Sequence, residues 1–190
     1  VMVDDAHAIG VLGENGSGTS AYFNLTDRVH LITGTFSKSL AALGGFVAAD
    51  KDIVNHIKHS SRALMFSAGL QPSSVAAVME ALDIIEEQPE LIDRLWENTH
   101  YSIKLFKDMG FDVGKAETPI IPLYIRDDYK TYIMTKRLYE DGIFLNPVVS
   151  PATSADSSLI RFSIMSNHSK AQMDFAINKI YDHAKDLKII

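Results

Sequence analysis

Short apolar runs alternate along the chain with segments in which apolar residues recur every three or four positions. The runs have the length of buried strands, and the three-and-four spacing is typical of amphipathic helices. In the first half of the chain the predicted strands are VMVDD, HLITGTF, GGFVAA and ALMFSA, and a helix is predicted for DIVNHIKHSS. Strands that alternate with helices indicate an α/β fold with a mostly parallel sheet.

A long segment of helical spacing runs from Gln71 to Gly110, with one interruption at Pro89. Because proline ends or kinks a helix, this segment predicts two helices or one kinked helix. After Gly110 the predicted strands are PIIPLYIR, IFLNPV and LIRFSIM, and the predicted helices are KTYIMTKRLYEDG and KAQMDFAINKIYDHAKDL. We therefore expect residues 1–89 to belong to a large α/β domain and residues 90–190 to form a smaller α+β domain.

Composition narrows the classes of protein to consider. The 190 residues are 46% hydrophobic and 22% charged, and their formal net charge is -6. This charge gives no basic field for nucleic acid or an anionic membrane, so we expect neither as a partner. The absence of cysteine excludes disulfides and thiolate metal ligands. No apolar run approaches the roughly 18 residues of a membrane span, so we expect no transmembrane segment and a soluble, cytoplasmic protein.

Three polar residues follow the first predicted strand: Asp4, Asp5 and His7. Carboxylate and imidazole groups are ordinary metal ligands, but no second histidine or acidic cluster lies nearby at ligand spacing. Polar residues at a strand end also commonly satisfy the amides of the following loop. The three residues alone leave both interpretations open.

A glycine-rich segment, GVLGENGSG, comes next. Its glycines at 13, 16 and 18 do not follow the G-x-G-x-x-G order of dinucleotide-binding loops, and no lysine follows as in a P-loop. The segment therefore predicts a turn-rich loop in which glycine supplies positive φ or close backbone approach.

The segment TGTFSKSLAALGG carries the most chemical information. A lone lysine is usually a solvated surface charge, but a lysine held among apolar segments can lose its proton and act as a nucleophile. The hydroxyls of Thr35 and Ser37 beside Lys38 suit a phosphate. An aspartate that can pair with a pyridinium nitrogen, a histidine near it and such a lysine together indicate a pyridoxal phosphate (PLP) site.

Four segments, in this order, resemble the motifs of one enzyme family, the α-oxoamine synthases: VDDAHAIGVLGENGSG, TGTFSKSLAALGGFVAA, FSAGLQP and LIRFSIMSNHSKAQMDFAI. These are fold-type I PLP-dependent enzymes that condense an amino acid with an acyl thioester. The resemblance covers essentially the whole chain but only the C-terminal half of a family member. It implies the C-terminal part of the PLP-binding large domain followed by the small domain. Because Val1 lies inside an apolar run, we also expect the chain to be a fragment. In the family the N-terminal half supplies part of the phosphate site and a side chain stacked on the cofactor ring, so we expect this chain to be inactive alone.

The resemblance assigns three residues to the cofactor ring. Lys38 matches the lysine that links covalently to PLP. Asp4 matches the carboxylate that pairs with the pyridinium N–H and so keeps the ring an electron sink. His7 matches the histidine that hydrogen-bonds the phenolic oxygen of the ring.

Further residues follow from the same resemblance. Thr35 matches a phosphate ligand, and Ser67 corresponds to a phosphate contact supplied to the neighbouring subunit of a homodimer. Arg161 matches the arginine that binds the substrate carboxylate, for which a bidentate donor is well suited. Asp5 has no catalytic counterpart and is expected to be structural, and Ala8 stands where family members often carry serine.

The implied reaction joins an amino acid, with L-serine as the first candidate, to a long-chain acyl-CoA with loss of carbon dioxide. Alanine with a pimeloyl thioester and glycine with acetyl-CoA are the alternatives. A non-catalytic partner subunit of such an enzyme would keep the fold without the chemistry, and the presence of Lys38 argues against it. A metal-dependent hydrolase is weaker still, because it leaves Lys38 and Arg161 without roles.

Overall fold

The computed structural model describes residues 1–190, which divide into two compact units, Val1–Ile92 and Asp93–Ile190. The first unit contains the strands β1 (Met2–Asp4), β2 (Leu31–Thr35) and β3 (Gly45–Ala49) and the helices α1 (Thr19–Tyr22), α2 (Lys51–Ser60), α3 (Arg62–Met65) and α4 (Pro72–Glu87). Short 3-10 turns lie at Glu14–Gly16 and Thr26–Arg28.

The sheet of the first unit has the order β1-β2-β3. Strands β1 and β2 are parallel, as the sequence predicts, whereas β3 runs antiparallel to β2. The reason is the connection of residues 36–44, since a parallel crossover needs about a dozen residues or more. A buried cluster of Phe36, Leu40 and Val78 packs between this connection and α4.

The prediction of a strand for ALMFSA is wrong. Residues 62–65 form the single helical turn α3, which begins where the Ser61 hydroxyl accepts a hydrogen bond from the Leu64 N–H at 3.3 Å. The apolar side chains of this run are exposed, Phe66 by 79%, so the run is not the buried strand that its composition suggests. Apolar runs this short do not distinguish a strand from a helix.

Helix α5 (Glu90–Asp108) starts just after Pro89, so the long helical segment is two helices, α4 and α5, as one of the two sequence interpretations predicts. The second unit continues with β4 (Ile120–Tyr124), α6 (Asp128–Glu140), β5 (Asn146–Val148), a 3-10 turn at Ala155–Ser157, β6 (Leu159–Ser163) and α7 (Lys170–Asp186). Its sheet has the order β4-β6-β5 and is antiparallel throughout.

The core of the second unit lies on one face of this sheet. Ile160 and Phe162 alternate with more exposed residues along β6, and Phe106 of α5 meets Phe162 edge to face at 5.0 Å between ring centroids. Helix α7 starts at a capping box in which Ser169 and Gln172 satisfy each other's backbone N–H groups. No helix of the protein combines the length and the apolar character needed to cross a membrane.

Candidate functional site

The carboxyl ends of β1 and β2 lie at the same edge of the first sheet. Asp4 is paired with Thr33 in the parallel register, and the N–H of Asp5 donates to the Thr33 carbonyl at 2.7 Å. Parallel strands present their ligand-binding residues at this edge. The loops that carry Asp4 and His7, on one strand, and Thr35 and Lys38, on the other, therefore leave the sheet side by side.

A tight turn follows Asp4 at the end of β1. The Asp4 Oδ1 atom accepts a hydrogen bond from the Ala6 N–H at 2.9 Å, which orients the carboxylate. Asp4 and His7 are both exposed, whereas Asp5 and Ala8 between and beside them are buried. The corner therefore presents a carboxylate and an imidazole to solvent and turns its other two side chains inward.

Hydroxyl groups are concentrated at the end of β2. Thr35 Oγ1 donates to the Gly44 carbonyl at 3.2 Å, so in the 2.9 Å contact between Thr35 Oγ1 and Ser37 Oγ the Ser37 hydroxyl is the donor. The Ser37 N–H also points at Thr35 Oγ1, at 3.3 Å. Thr35 and Ser37 thus form one compact polar group beside Lys38.

Lys38 sits at the exposed apex of this connection, between two anchored residues. Phe36 and Leu40, two positions before and after it, are 9% and 2% exposed. The Lys38 side chain itself is exposed, so the sequence-based idea of an amine buried among apolar groups is not what the structure shows. The neighbours Phe36 and Leu40, rather than the amine of Lys38, are anchored in the core.

One hydrogen bond joins the two loops. Ser39 Oγ donates to the Ile9 carbonyl at 2.7 Å, which ties the residue after Lys38 to the segment after His7. Sequence reasoning missed Ser39, because its partner is a backbone carbonyl 30 residues away. The only signal in the sequence is its place next to Lys38.

Ser67 lies in the same unit, just after α3. Its hydroxyl donates to the Ala63 carbonyl at 2.6 Å, a local bond four residues back, and the residue is exposed. The hydrogen bonds of Ser67 therefore do not connect it with Asp4, His7, Thr35 or Lys38.

Arg161 belongs to the second unit, on the central strand β6. It is paired with Pro122 of β4 and Asn146 of β5, and it points to the face opposite the buried Ile160 and Phe162. None of the salt bridges in the protein involves its guanidinium. Arg161 thus presents a planar cation without an acidic partner in the chain.

The metal interpretation of Asp4, Asp5 and His7 has no geometric support. The structure contains no group of three or more His, Asp or Glu side chains that could hold a metal ion. Asp5 is fully buried, and its Oδ1 accepts a hydrogen bond from the Thr19 N–H at 3.0 Å, while Asp4 is exposed. The two carboxylates therefore lie in different environments.

Comparison with known proteins identifies the family. The model of the family "Aminotransferase class I and II" matches residues 1–180, so the chain belongs to this family. Its relatives within the family are α-oxoamine synthases, which confirms the resemblance inferred from the motifs. The chain is 51% identical over 189 residues to a serine palmitoyltransferase of Sphingobacterium spiritivorum, covering 100% of the chain and 47% of the relative. It is 43% identical over 187 residues to an 8-amino-7-oxononanoate synthase of Petrotoga mobilis, covering 98% of the chain and 48% of the relative.

The fold is similar to that of a solved structure of SPT with a PLP internal aldimine. The TM-score is 0.95 at 30% sequence identity, over 100% of this chain and 48% of that one. The predicted fold class, an α/β PLP-dependent transferase fold with an α+β part, is confirmed by this match. The chain spans about half the length of the relatives it matches.

Proposed function

We propose that the protein is a PLP-dependent acyltransferase that condenses an amino acid, L-serine, with a long-chain acyl-CoA, releasing coenzyme A and carbon dioxide. The observation that carries the proposal is the shared edge of β1 and β2, from which a carboxylate, an imidazole, two hydroxyls and an amine project within two adjacent loops. The 51% identical serine palmitoyltransferase supports the choice of substrates.

The donor set of this edge fits PLP. A pyridine nitrogen needs an anionic acceptor for its proton, and Asp4 offers a carboxylate oriented by the Ala6 N–H. A phosphate needs hydroxyl or N–H donors, and the neighbouring hydroxyls of Thr35 and Ser37 would exchange their present acceptors to donate to it. An aldehyde needs a primary amine, and Lys38 presents an exposed one. Each part of the cofactor thus has a complementary group within the two loops.

When bound, PLP supplies an electron sink for the carbanion at the α-carbon of the amino acid. Lys38 would anchor the cofactor and act as the base that takes up the α-proton. Asp4 would hold the proton on the ring nitrogen, and His7 would donate to the phenolic oxygen. Arg161 would bind the substrate carboxylate through paired N–H donors and so orient the bond to be broken.

The assignments of subunit and compartment are part of the same proposal. We assign the protein to a cytoplasmic homodimer in which Ser67 contacts the phosphate bound by the partner subunit. Residues 1–89 are assigned to the large, PLP-binding domain and residues 90–190 to the small domain. The unit boundary after Ile92 lies close to this division.

Substrate preference distinguishes this proposal from its alternatives. In a long apolar tunnel each buried methylene contributes about 0.8 kcal/mol, so acyl-CoA affinity should rise steadily with chain length. We expect the intact protein to release coenzyme A from palmitoyl-CoA with L-serine, and much more slowly with alanine or glycine. Preference for alanine with a pimeloyl thioester would instead assign it as an 8-amino-7-oxononanoate synthase. Preference for glycine with acetyl-CoA would assign it as a 2-amino-3-ketobutyrate:CoA ligase, and no turnover with any pair would favour a non-catalytic subunit.

A further inference from the structure

Asp5 is a fully buried carboxylate that lies in the chain between the exposed residues Asp4 and His7. It is 0% exposed, although its neighbours Asp4 and His7 are exposed. Its Oδ1 atom accepts a hydrogen bond from the Thr19 N–H at 3.0 Å, and its Oδ2 atom has no hydrogen-bond partner. Burying a carboxylate with an unpaired oxygen costs free energy, so a merely space-filling role would be served better by an apolar residue.

The glycine-rich segment is shaped to receive this carboxylate. A side chain at Gly18 would place its Cβ atom 2.4 Å from Asp5 Oδ2, far inside contact distance, and Gly18 has φ +105. Glycine is therefore required at position 18 both for the backbone conformation and for the approach to Asp5.

The segment that meets Asp5 is closed on itself by backbone hydrogen bonds. The Gly10 N–H donates to the Gly16 carbonyl and the Gly18 N–H to the Leu12 carbonyl, each at 2.7 Å. The bond from the Thr19 N–H to Asp5 ties the end of this closed loop back to the end of β1.

The backbone of Asp5 is hydrogen-bonded both to β2, which leads to Lys38, and to the loop that carries His7. Its N–H donates to the Thr33 carbonyl of β2 at 2.7 Å, and its carbonyl accepts from the Ile9 N–H at 3.2 Å. The Ile9 carbonyl in turn accepts from Ser39, the neighbour of Lys38, at 2.7 Å. Asp5 is thus one residue from Asp4, two from His7 and, through Ile9 and Ser39, linked to the Lys38 connection.

We propose that Asp5 is a positioning residue for the cofactor site: its buried carboxylate, received by Gly18 and Thr19, fixes the corner that carries Asp4 and His7 relative to Lys38. This inference rests on the proposed PLP chemistry. It predicts that Asp5 acts through hydrogen bonding and shape rather than through its charge. The Thr19 N–H requires only a hydrogen-bond acceptor, and the space beside Gly18 requires only a side chain of the size of Asp5.

The test measures the binding of PLP alone to the intact, full-length protein and to four variants of it. Asp5→Ala removes the oxygen that accepts the hydrogen bond from the Thr19 N–H. Asp5→Asn keeps an acceptor oxygen on a side chain of the same shape, and Gly18→Ala adds a methyl group that clashes with Asp5. Glu14→Gln is the matched control, an exposed acid in the same glycine-rich segment. The measurements are the PLP dissociation constant, the pH midpoint of the absorption band of bound PLP at saturation, and the melting temperature.

We expect Asp5→Ala and Gly18→Ala to bind PLP roughly ten-fold more weakly, the scale of one lost hydrogen bond. When these variants are saturated with PLP, we also expect a shift in the pH midpoint of the absorption band of bound PLP. The PLP dissociation constant of Asp5→Asn should stay within about three-fold of that of the unmodified protein, and that of Glu14→Gln should match it.

Lower melting temperatures with unchanged PLP affinity and midpoint would show a purely structural role and overturn the inference. An Asp5→Asn variant as impaired as Asp5→Ala would overturn it too, because charge would then be the cause. If Asp5→Ala does not fold, Gly18→Ala and Asp5→Asn decide the question, and failure of the unmodified protein to bind PLP would overturn the proposed function as well.

Discussion

Asp4 is the register partner of Thr33, so the strand that ends in the proposed pyridinium contact and the strand that leads to Lys38 run parallel and side by side. Four of the six residues predicted for the site, Asp4, His7, Thr35 and Lys38, therefore lie on these two adjacent strands or on the loops that follow them. Ser67 makes only a local hydrogen bond, and Arg161 stands on the sheet of the other unit.

Arg161 is the residue on which amino acid recognition is predicted to depend. Arg161→Ala should weaken binding of L-serine by about 1.5 to 3 kcal/mol, the scale of a charged hydrogen-bonded pair, and leave PLP binding intact. Titration with L-serine, followed through the absorption of bound PLP, measures this. Arg126→Ala is the control, since Arg126 is an exposed arginine of the same unit that pairs with Asp112. Loss of PLP binding in Arg161→Ala would show that Arg161 is structural.

The second unit should lose a pH-dependent contribution to its stability at low pH. The pKa of Asp141 is held below its usual value, chiefly because His183 donates a hydrogen bond to it at 2.8 Å, with Lys179 also close at 3.4 Å. A lowered folded-state pKa means that the carboxylate stabilises the fold above its unfolded pKa of about 3.9. That contribution is lost as pH falls through the folded-state pKa.

We therefore expect Asp141→Asn to lower the melting temperature near neutral pH and to converge with the unmodified protein as the pH falls below about 4. Glu140→Gln, which alters an exposed ion pair on α6, should change little at either pH. A difference for Asp141→Asn that is constant with pH would contradict the assignment.

Phe106 should be critical for the stability of the second unit but not for cofactor binding. It is fully buried and meets Phe111 and Phe162 edge to face. Phe106→Ala should cost about 3 to 5 kcal/mol in unfolding free energy, measured by denaturant titration of the intact protein. Phe144→Ala, at a position 76% exposed, is the control and should have little effect. A loss near zero for Phe106→Ala would contradict this description of the core.

The sequence predicts most of the elements because their spacing is a direct consequence of burial on one face. It fails where neighbours decide the outcome. The run after Ser61 is apolar yet exposed, and a side-chain cap turns it into α3. The direction of β3 depends on the length of its connection to β2 rather than on its own residues.

The candidate site likewise contains residues that the sequence predicts and residues that only the structure shows. The roles predicted for Lys38, Asp4 and Arg161 come from short motifs that resemble those of the family. Asp5 and Ser39 instead form hydrogen bonds with backbone groups, the Thr19 N–H and the Ile9 carbonyl, that are distant in sequence. Contacts of that kind leave no local pattern, so they become visible only in the structure.

The proposed contact of Ser67 with the partner subunit's phosphate can be tested by mixing variants. The Ser67 hydroxyl donates a hydrogen bond to the Ala63 carbonyl, so it would have to break that bond to donate to a phosphate. If it does so across a dimer, exchanged mixtures of Lys38→Ala and Ser67→Ala should regain condensing activity. The regained activity would come from hybrid sites that combine an intact Lys38 with an intact Ser67. Mass spectrometry confirms subunit exchange, and heterodimers without regained activity would count against the contact.

The central claim is that Lys38 anchors PLP, and reduction of the intact protein with borohydride followed by peptide mapping tests it most directly. We expect one pyridoxyl label, on Lys38, and no label on this peptide in Lys38→Ala, which should bind PLP only non-covalently. Lys51→Ala, at an exposed lysine on α2, is the control and should leave the label unchanged. A label on any other lysine, or none in the unmodified protein incubated with PLP, would contradict the account.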